Sequence, residues 1–77
     1  MKDAHIEIVY IHEKAKDIER LLRIEEESSP FYKTKSQIKT EGNILKIEIE
    51  SEDIPALRGS FNTFMNWLIA IEEGMKL

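Results

Sequence analysis

The hydrophobic residues of this chain follow two periods in turn, and each change of period marks a new element. Alternation with a period of two predicts strands over residues 4–11, 32–40 and 43–50. Helical spacing predicts a first helix over residues 13–27 and a last helix that follows Asp53 and runs to about Lys76. The apolar face of the first helix carries Ala15, Ile18, Leu21 and Leu22. The order strand, helix, strand, strand, helix predicts one α+β domain over residues 1–77, with two helices on one face of a three-stranded antiparallel sheet.

The second and third strands form a predicted hairpin whose register depends on charge. A two-residue turn at Glu41-Gly42 sets lysines of one strand opposite glutamates of the other, so we predict this register. The alternative turn, Gly42-Asn43, would place Lys39 opposite Lys46, which is a repulsive pair. The sheet is then charged on one face, and its other face is apolar: Ile6, Ile8, Tyr10, Ile38, Leu45, Ile47 and Ile49.

The last helix has two uncharged faces, although 34% of the chain is charged. No charged residue occurs from Gly59 to Ile71. One face is an apolar stripe suited to the core: Leu57, Phe61, Phe64, Leu68, Ile71 and Met75. The opposite face carries Gly59, Thr63, Asn66 and Ala70, where a helix exposed to water would carry Lys and Glu. Because small residues let another helix approach closely, we predict that this face binds a partner.

Size and composition also favour association with another chain. A domain of 77 residues has a thin core, and without cysteine it has no disulfide to stabilise it. Abundant Glu, Lys and Ile suggest a heat-loving source, and the lack of a leader or an apolar run of ~20 residues predicts a soluble cytoplasmic protein. The net charge of −4 disfavours non-specific nucleic-acid binding but leaves a local basic patch open.

The sequence offers no catalytic, metal or cofactor site. His5 and His12 lack the spacing of metal ligands, and the three glycines are too scattered to form a phosphate-binding loop. We therefore predict that the chain is not an enzyme and carries no cofactor.

Two basic features remain. Lys33, Lys35 and Lys39 fall on one face of the second strand, where pairing with glutamates is the favoured interpretation and contact with nucleic-acid phosphates is the alternative. Arg58 is the only charge between Pro55 and Ile71, which favours a buried or interfacial structural role.

The segment from Ala56 to Leu68 resembles the signature of the CTAG/Pcc family, the small non-catalytic subunit of the KEOPS tRNA-modification complex. In that family the signature opens the last helix. The residues that match it are Leu57, Arg58, Gly59, Ser60, Asn62, Thr63 and Trp67. The segment 30–33 and the hairpin turn are also similar to archaeal members, so the resemblance covers about the C-terminal two-thirds of the chain.

The resemblance implies a scaffold. Family members have a β-α-β-β-α fold, form dimers and present their helices to an ATPase-like catalytic subunit that transfers a threonylcarbamoyl group to an adenosine of tRNA. The expected partners are that catalytic subunit, a second copy or a paralogue as dimer partner, and tRNA only within the complex. No membrane or small-molecule substrate is expected. Signature and helix geometry together give the candidate partner-binding residues: Arg58, Gly59, Asn62, Thr63, Asn66, Trp67 and Ala70.

Two other functions are possible on the sequence. A free-standing RNA-binding module is disfavoured, because KH domains need a Gly-x-x-Gly loop and RRM domains need aromatic residues on the exposed sheet face. A regulatory domain that binds a small molecule has no pocket residues to support it.

Overall fold

The computed structural model describes residues 4–29, 31 and 33–76, and it confirms the predicted element order. The elements are β1 (Ala4–Ile11), α1 (Ala15–Ser28), β2 (Thr34–Glu41), β3 (Ile44–Ser51) and α2 (Ile54–Met75). The sheet is antiparallel with the order β1-β3-β2, so β3 is its central strand. The predicted start of the second strand, at residue 32, lies outside the described residues.

The core lies between the apolar face of the sheet and the two helices, as predicted. α1 packs over β2 and β3, whereas α2 packs over β1 and β3. The inward apolar side chains of β3 are fully buried, and Ile38 of β2 is buried beside them. The helices contribute the other buried core residues: Ala15, Ile18, Leu22, Leu57, Phe64 and Leu68. Leu21 was expected in the core with its neighbours but is 41% exposed, and Phe61 is only half-buried.

The predicted hairpin register is wrong. Glu41 pairs with Ile44, so the turn is Gly42-Asn43 and Lys39 does lie opposite Lys46. A two-residue hairpin turn needs a positive φ at its first position, which Gly42 supplies with φ of 61°. The predicted turn would have required that conformation of Glu41, at a cost of about 1–2 kcal/mol. Repulsion between two exposed lysines costs less, about 0.2–1 kcal/mol, so the backbone decides the register.

The two registers differ by two residues, which leaves the faces of the strands unchanged. Ile38 therefore still points into the core, although its cross-strand neighbour is Ile47 rather than Leu45.

The start of α2 is fixed by side chains at the end of β3. Asp53 caps the helix as predicted, since its carboxylate accepts a hydrogen bond from the backbone N–H of Ala56 at 3.1 Å. The buried hydroxyl of Ser51 accepts from the backbone N–H of Asp53 at 3.0 Å and donates to the carbonyl of Lys33 at 2.5 Å. Ser51 thus joins the beginning of β2 to the beginning of α2.

The free edge of β2 is covered by α1. The Arg23 guanidinium donates to the carbonyl oxygen of Ile38 at 2.6 Å and to Glu19, whose carboxylate also accepts from the Thr40 hydroxyl. These hydrogen bonds hold the pKa of Glu19 below its usual value, with the Thr40 bond as the largest cause.

Phe64 anchors the core, and its loss should be the most damaging change in α2. It is 0% exposed and contacts both Phe31 and Trp67. We expect Phe64→Ala to lower the free energy of unfolding by about 3–5 kcal/mol, measured by urea denaturation followed by circular dichroism. Ile69→Ala, at a position 54% exposed, should cost less than about 1 kcal/mol. Equal losses for the two variants would contradict this packing.

The Glu19 carboxylate should make stability depend on pH. Because its pKa is lowered in the folded state, its contribution is present above the unfolded pKa and disappears as the pH falls through the folded pKa. Glu19→Gln should therefore lower the free energy of unfolding at pH 7, by about 1 kcal/mol, and the two proteins should converge in acid. Glu27→Gln, at an exposed position of the same helix, is the matched control and should change the free energy of unfolding little at pH 7. A pH-independent difference for Glu19→Gln would contradict the assignment.

Candidate functional site

The outward face of α2 is exposed in the single chain and has almost no charge. Its residues share exposure and a position away from the sheet: Arg58, Gly59, Asn62, Asn66, Ile69, Ala70 and Glu73. Between Arg58 and Glu73 this face carries no charged side chain. We call the four residues Gly59, Thr63, Asn66 and Ala70 the small-residue row.

Gly59 has no role in the packing of the chain itself. A Cβ atom placed there would meet nothing within 4 Å, and the residue does not have a positive φ. Glycine inside a helix costs about 1 kcal/mol relative to alanine. The fold of this domain therefore gives no reason for glycine at this position, whereas close approach of another backbone would.

The hydroxyl group in the small-residue row is satisfied within the helix. Thr63 donates to the carbonyl oxygen of Gly59 at 2.9 Å, which is the common back-bonding arrangement of threonine in helices. Thr63 can thus be covered by apolar atoms without leaving its hydroxyl unpaired.

The small-residue row turns toward α1. On the flank of α2 that faces β1, Glu72 accepts a hydrogen bond from Tyr10. Thr63 lies nine positions before Glu72, and Ala70 lies two positions before it, so at 100° per residue both lie on the opposite flank. Because α2 covers β1 and β3 while α1 covers β2 and β3, that opposite flank faces α1.

A groove lies between α1 and α2, and the small-residue row borders it. Two exposed apolar side chains of α1 turn toward this groove. Glu19 contacts β2, and helical geometry places Leu21 and Ile24 on the other flank of α1, toward α2. They are 41% and 53% exposed. Leu21 was predicted on the apolar face of α1 with the core residues, and Ile24 was not predicted as a site residue. The sequence does contain a sign of these two residues, because the apolar stripe of α1 is wider than the face that packs on the sheet.

The signature residues of segment 56–68 lie on two sides of α2, one facing the sheet and one facing outward. Leu57 and Ser60 point inward, and the Ser60 hydroxyl lies 3.0 Å from that of Thr34 in β2. Trp67 is half-buried, with its ring centroid 5.7 Å from that of Phe31, so this candidate partner-binding residue also closes the edge of the core.

The other signature residues point outward. Arg58, Gly59 and Asn62 are exposed, and Thr63 is partly so. The buried role considered for Arg58 is therefore wrong for the single chain, and its interfacial role stays a prediction. The signature thus combines residues that hold α2 on the sheet with residues that the fold leaves available.

The predicted basic row is not continuous. Lys33 precedes β2, where it takes a positive φ of 61°, and its ammonium group lies 3.4 Å from the Asp53 carboxylate. This helix-cap carboxylate has a lowered pKa, caused first by the backbone N–H of Ala56 and then by Lys33. Lys35 and Lys39 do lie on the outer face of the sheet, and Lys35 is directly opposite Glu50. Only two of the three lysines therefore share a face.

Tyr10 is the remaining residue with a shifted pKa, and its role is structural. The hydrogen bond from Tyr10 to Glu72 raises the pKa of Tyr10 to about 12, so the phenol stays protonated and ties β1 to α2.

Within residues 4–29, 31 and 33–76, no three His, Cys, Asp or Glu side chains come together as metal ligands. No helix in the described part of the chain has both the length and the apolar character to span a membrane.

The model of a family described as Transcription factor Pcc1 matches residues 3–76. The comparison with curated proteins finds no match. The family match includes every helix and strand and the whole signature of α2. Because it extends over nearly the full sequence, this chain belongs to the Pcc1 family, the family of the KEOPS Pcc1 subunit.

Proposed function

We propose that this chain is a non-catalytic scaffold subunit of the KEOPS complex, acting in the cytoplasm. It binds the ATPase-like catalytic subunit through the small-residue row and the groove between α1 and α2. The observation that carries the proposal is Gly59, a helix-interior glycine with open space above it. Family membership supports the identity of the partner.

The partner element that suits this surface is a helix. The row Gly59, Thr63, Asn66 and Ala70 follows steps of four, three and four, which is the spacing of a groove that accepts the ridge of another helix. Leu21 and Ile24 border the groove and offer apolar area to the same partner. Ile69, 54% exposed on the outer face, adds to that area.

Arg58 and Asn62 lie at the N-terminal end of this surface, where both are exposed. A guanidinium there makes several directed hydrogen bonds and fits carbonyl or carboxylate acceptors of the partner. The uncharged middle and the polar end match the usual anatomy of a protein interface, with a dry centre and a polar rim.

In this role the chain supports threonylcarbamoyladenosine modification of tRNA without performing chemistry. A dimer of the scaffold brings two catalytic subunits into one assembly, and Lys33, Lys35 and Lys39 then offer charges to tRNA held by the complex. A free-standing RNA-binding module is less well supported. The three described strands carry no Phe, Tyr or Trp on their outer face, so bases have no ring on which to stack.

A bulky residue in the small-residue row should block the partner without unfolding the domain. Ala70 is exposed, so Ala70→Trp should leave the far-ultraviolet circular dichroism and the urea midpoint close to those of the unchanged protein. It should abolish co-purification with the catalytic subunit, because the partner helix meets the indole ring. The matched control is Gln37→Trp, which places the same indole ring on the opposite face of the domain and should keep the catalytic subunit bound. Binding of the subunit by Ala70→Trp would refute the proposed interface.

Gly59→Ala should separate stability from function. The isolated domain should become more stable by about 0.5–1 kcal/mol, since alanine favours the helix and its methyl group enters open space. Affinity for the catalytic subunit should fall, because the added methyl group occupies the closest approach of the two backbones. Urea denaturation and isothermal titration calorimetry measure the two effects. A variant that is more stable and binds equally well would show that Gly59 does not contact the partner.

A further inference from the structure

The two edges of the sheet differ in how their backbone groups are covered. The strand order β1-β3-β2 makes β1 and β2 the edge strands. On β2, the carbonyl oxygen of Ile38 accepts a hydrogen bond from Arg23 of α1. Among residues 4–29, 31 and 33–76, no side chain makes such a hydrogen bond to the backbone of β1. β1 is therefore the open edge of the described sheet.

The register of β1 against β3 shows which of its backbone groups are unpaired. The backbone N–H of His12 donates to the carbonyl oxygen of Asn43 at 2.8 Å, one step beyond the last pair of the ladder. Hydrogen-bonded pairs recur every two residues in an antiparallel ladder, so the even-numbered residues of β1 bond to β3. The odd-numbered residues point their N–H and C=O groups out of the sheet: His5, Glu7, Val9 and Ile11. Such a row of unpaired groups is a template for another strand.

The core is also incomplete beside this edge. The inward side chains of β1 are only half-buried, whereas the inward apolar side chains of β3 are 0% exposed. Glu72 marks the flank of α2 that faces β1, because it accepts the hydrogen bond from Tyr10. Helical geometry places Met65, Phe61 and Ile54 on that flank, seven, eleven and eighteen positions before Glu72. We call these three residues the flank row; Ile54 is 49% exposed and the other two are half-buried.

We propose that an extended segment of a different protein adds a fourth, antiparallel strand to the sheet at β1. The backbone of the segment pairs with the outward N–H and C=O groups of β1. Its inner side chains lie against the flank row and complete the core at this edge. In recognition of this kind, main-chain hydrogen bonds give affinity and alternate side chains give specificity. The segment therefore needs an alternating sequence, with apolar residues opposite Ile6 and Ile8.

The charges of the sheet add a basic residue to this sequence. Glu7 lies directly opposite Glu48, and like charges at opposed strand positions are destabilising. His5, 3.6 Å from Glu48, offsets this pair only when its ring is protonated. A Lys or Arg of the added strand, placed opposite Glu7, supplies a permanent positive charge. Since Glu7 lies between Ile6 and Ile8, the centre of the segment reads apolar, basic, apolar.

A second copy of the chain does not fit this edge. Residues 4–11 contain no Lys or Arg, so the β1 strand of a second copy brings neither to Glu7. The β2 strand does contain lysines, but its own edge is covered by α1. The occupant is therefore a different protein. This surface goes beyond the proposed function, because it lies on the flank of α2 that is opposite the small-residue row.

The test uses the full chain and a synthetic peptide, Thr-Val-Thr-Val-Lys-Val-Thr-Val-Thr. We expect isothermal titration calorimetry to show binding. In the antiparallel arrangement, the N–H groups of Lys and Thr face β1, and those of Val face away. N-methylation of the Lys and one neighbouring Thr should therefore weaken binding at least about tenfold. N-methylation of two Val residues is the matched control and should change the affinity less than about twofold.

Hydrogen exchange measured by nuclear magnetic resonance locates the bound peptide. The amide protons of Glu7 and Val9 should exchange fast in the free chain and slowly with the peptide bound, because the added strand then accepts from them. The amide protons of Ile6 and Ile8 already bond to β3, so they should exchange slowly in both states.

Two changes in the protein test the backbone and the charge separately. Val9→Pro removes an outward N–H group without removing a bond of the ladder, and proline is tolerated at such a position of an edge strand. It should weaken peptide binding about tenfold, whereas Val9→Thr keeps the amide and should bind normally. Glu7→Lys should weaken binding about twofold to fivefold and should favour a peptide in which Glu replaces the Lys.

Absence of binding, equal losses for the two N-methylated peptides, or protection that does not include Glu7 and Val9 would each overturn the inference. Protection of these two amides that appears with protein concentration alone would assign the edge to a second copy and would overturn it as well. Ala70→Trp lies on the other flank of α2 and should bind the peptide normally. The edge and the groove therefore fail separately.

Discussion

The burial of β3 is the interaction on which this structure depends. Leu45, Ile47 and Ile49 are each 0% exposed and lie beneath both helices. A chain of 77 residues has only enough helix to cover one face of this sheet. Each element that packs on β3 therefore keeps a second face outside the core. The outer sides of the sheet and of α2 follow from this arrangement before any function is considered.

The residue types predicted which face of each strand lies in the core better than they predicted how the strands pair. Alternation placed Ile38 and Leu45 in the core, and the structure agrees. It also gave β1 its observed bounds. The pairing of β2 with β3 was not predictable from charges, because repulsion between exposed lysines is weaker than the backbone requirement at Gly42. Charge patterns on a solvated face are a poor guide to register when the turn has a conformational demand of its own.

The candidate site was partly visible in the sequence for a physical reason. A helix face that only contacts water usually carries Lys and Glu, and this face carries neither. Asn66 and Ala70 could therefore be predicted as partner-binding residues. Trp67 was harder to place, because a signature does not separate residues that hold a helix from those that it presents. Leu21 and Ile24 were missed because their exposure depends on where α2 lies, which the pattern of α1 alone does not contain.

The glycine at position 59 affects how quickly the protein is degraded in the cell. A helix that keeps a poor helix former in its middle is less stable alone than its sequence could make it. Binding restores the missing stability by mass action, in proportion to the partner that is present. Copies without a partner then spend more time unfolded and are removed faster by proteases. We infer that the abundance of this subunit follows that of its complex.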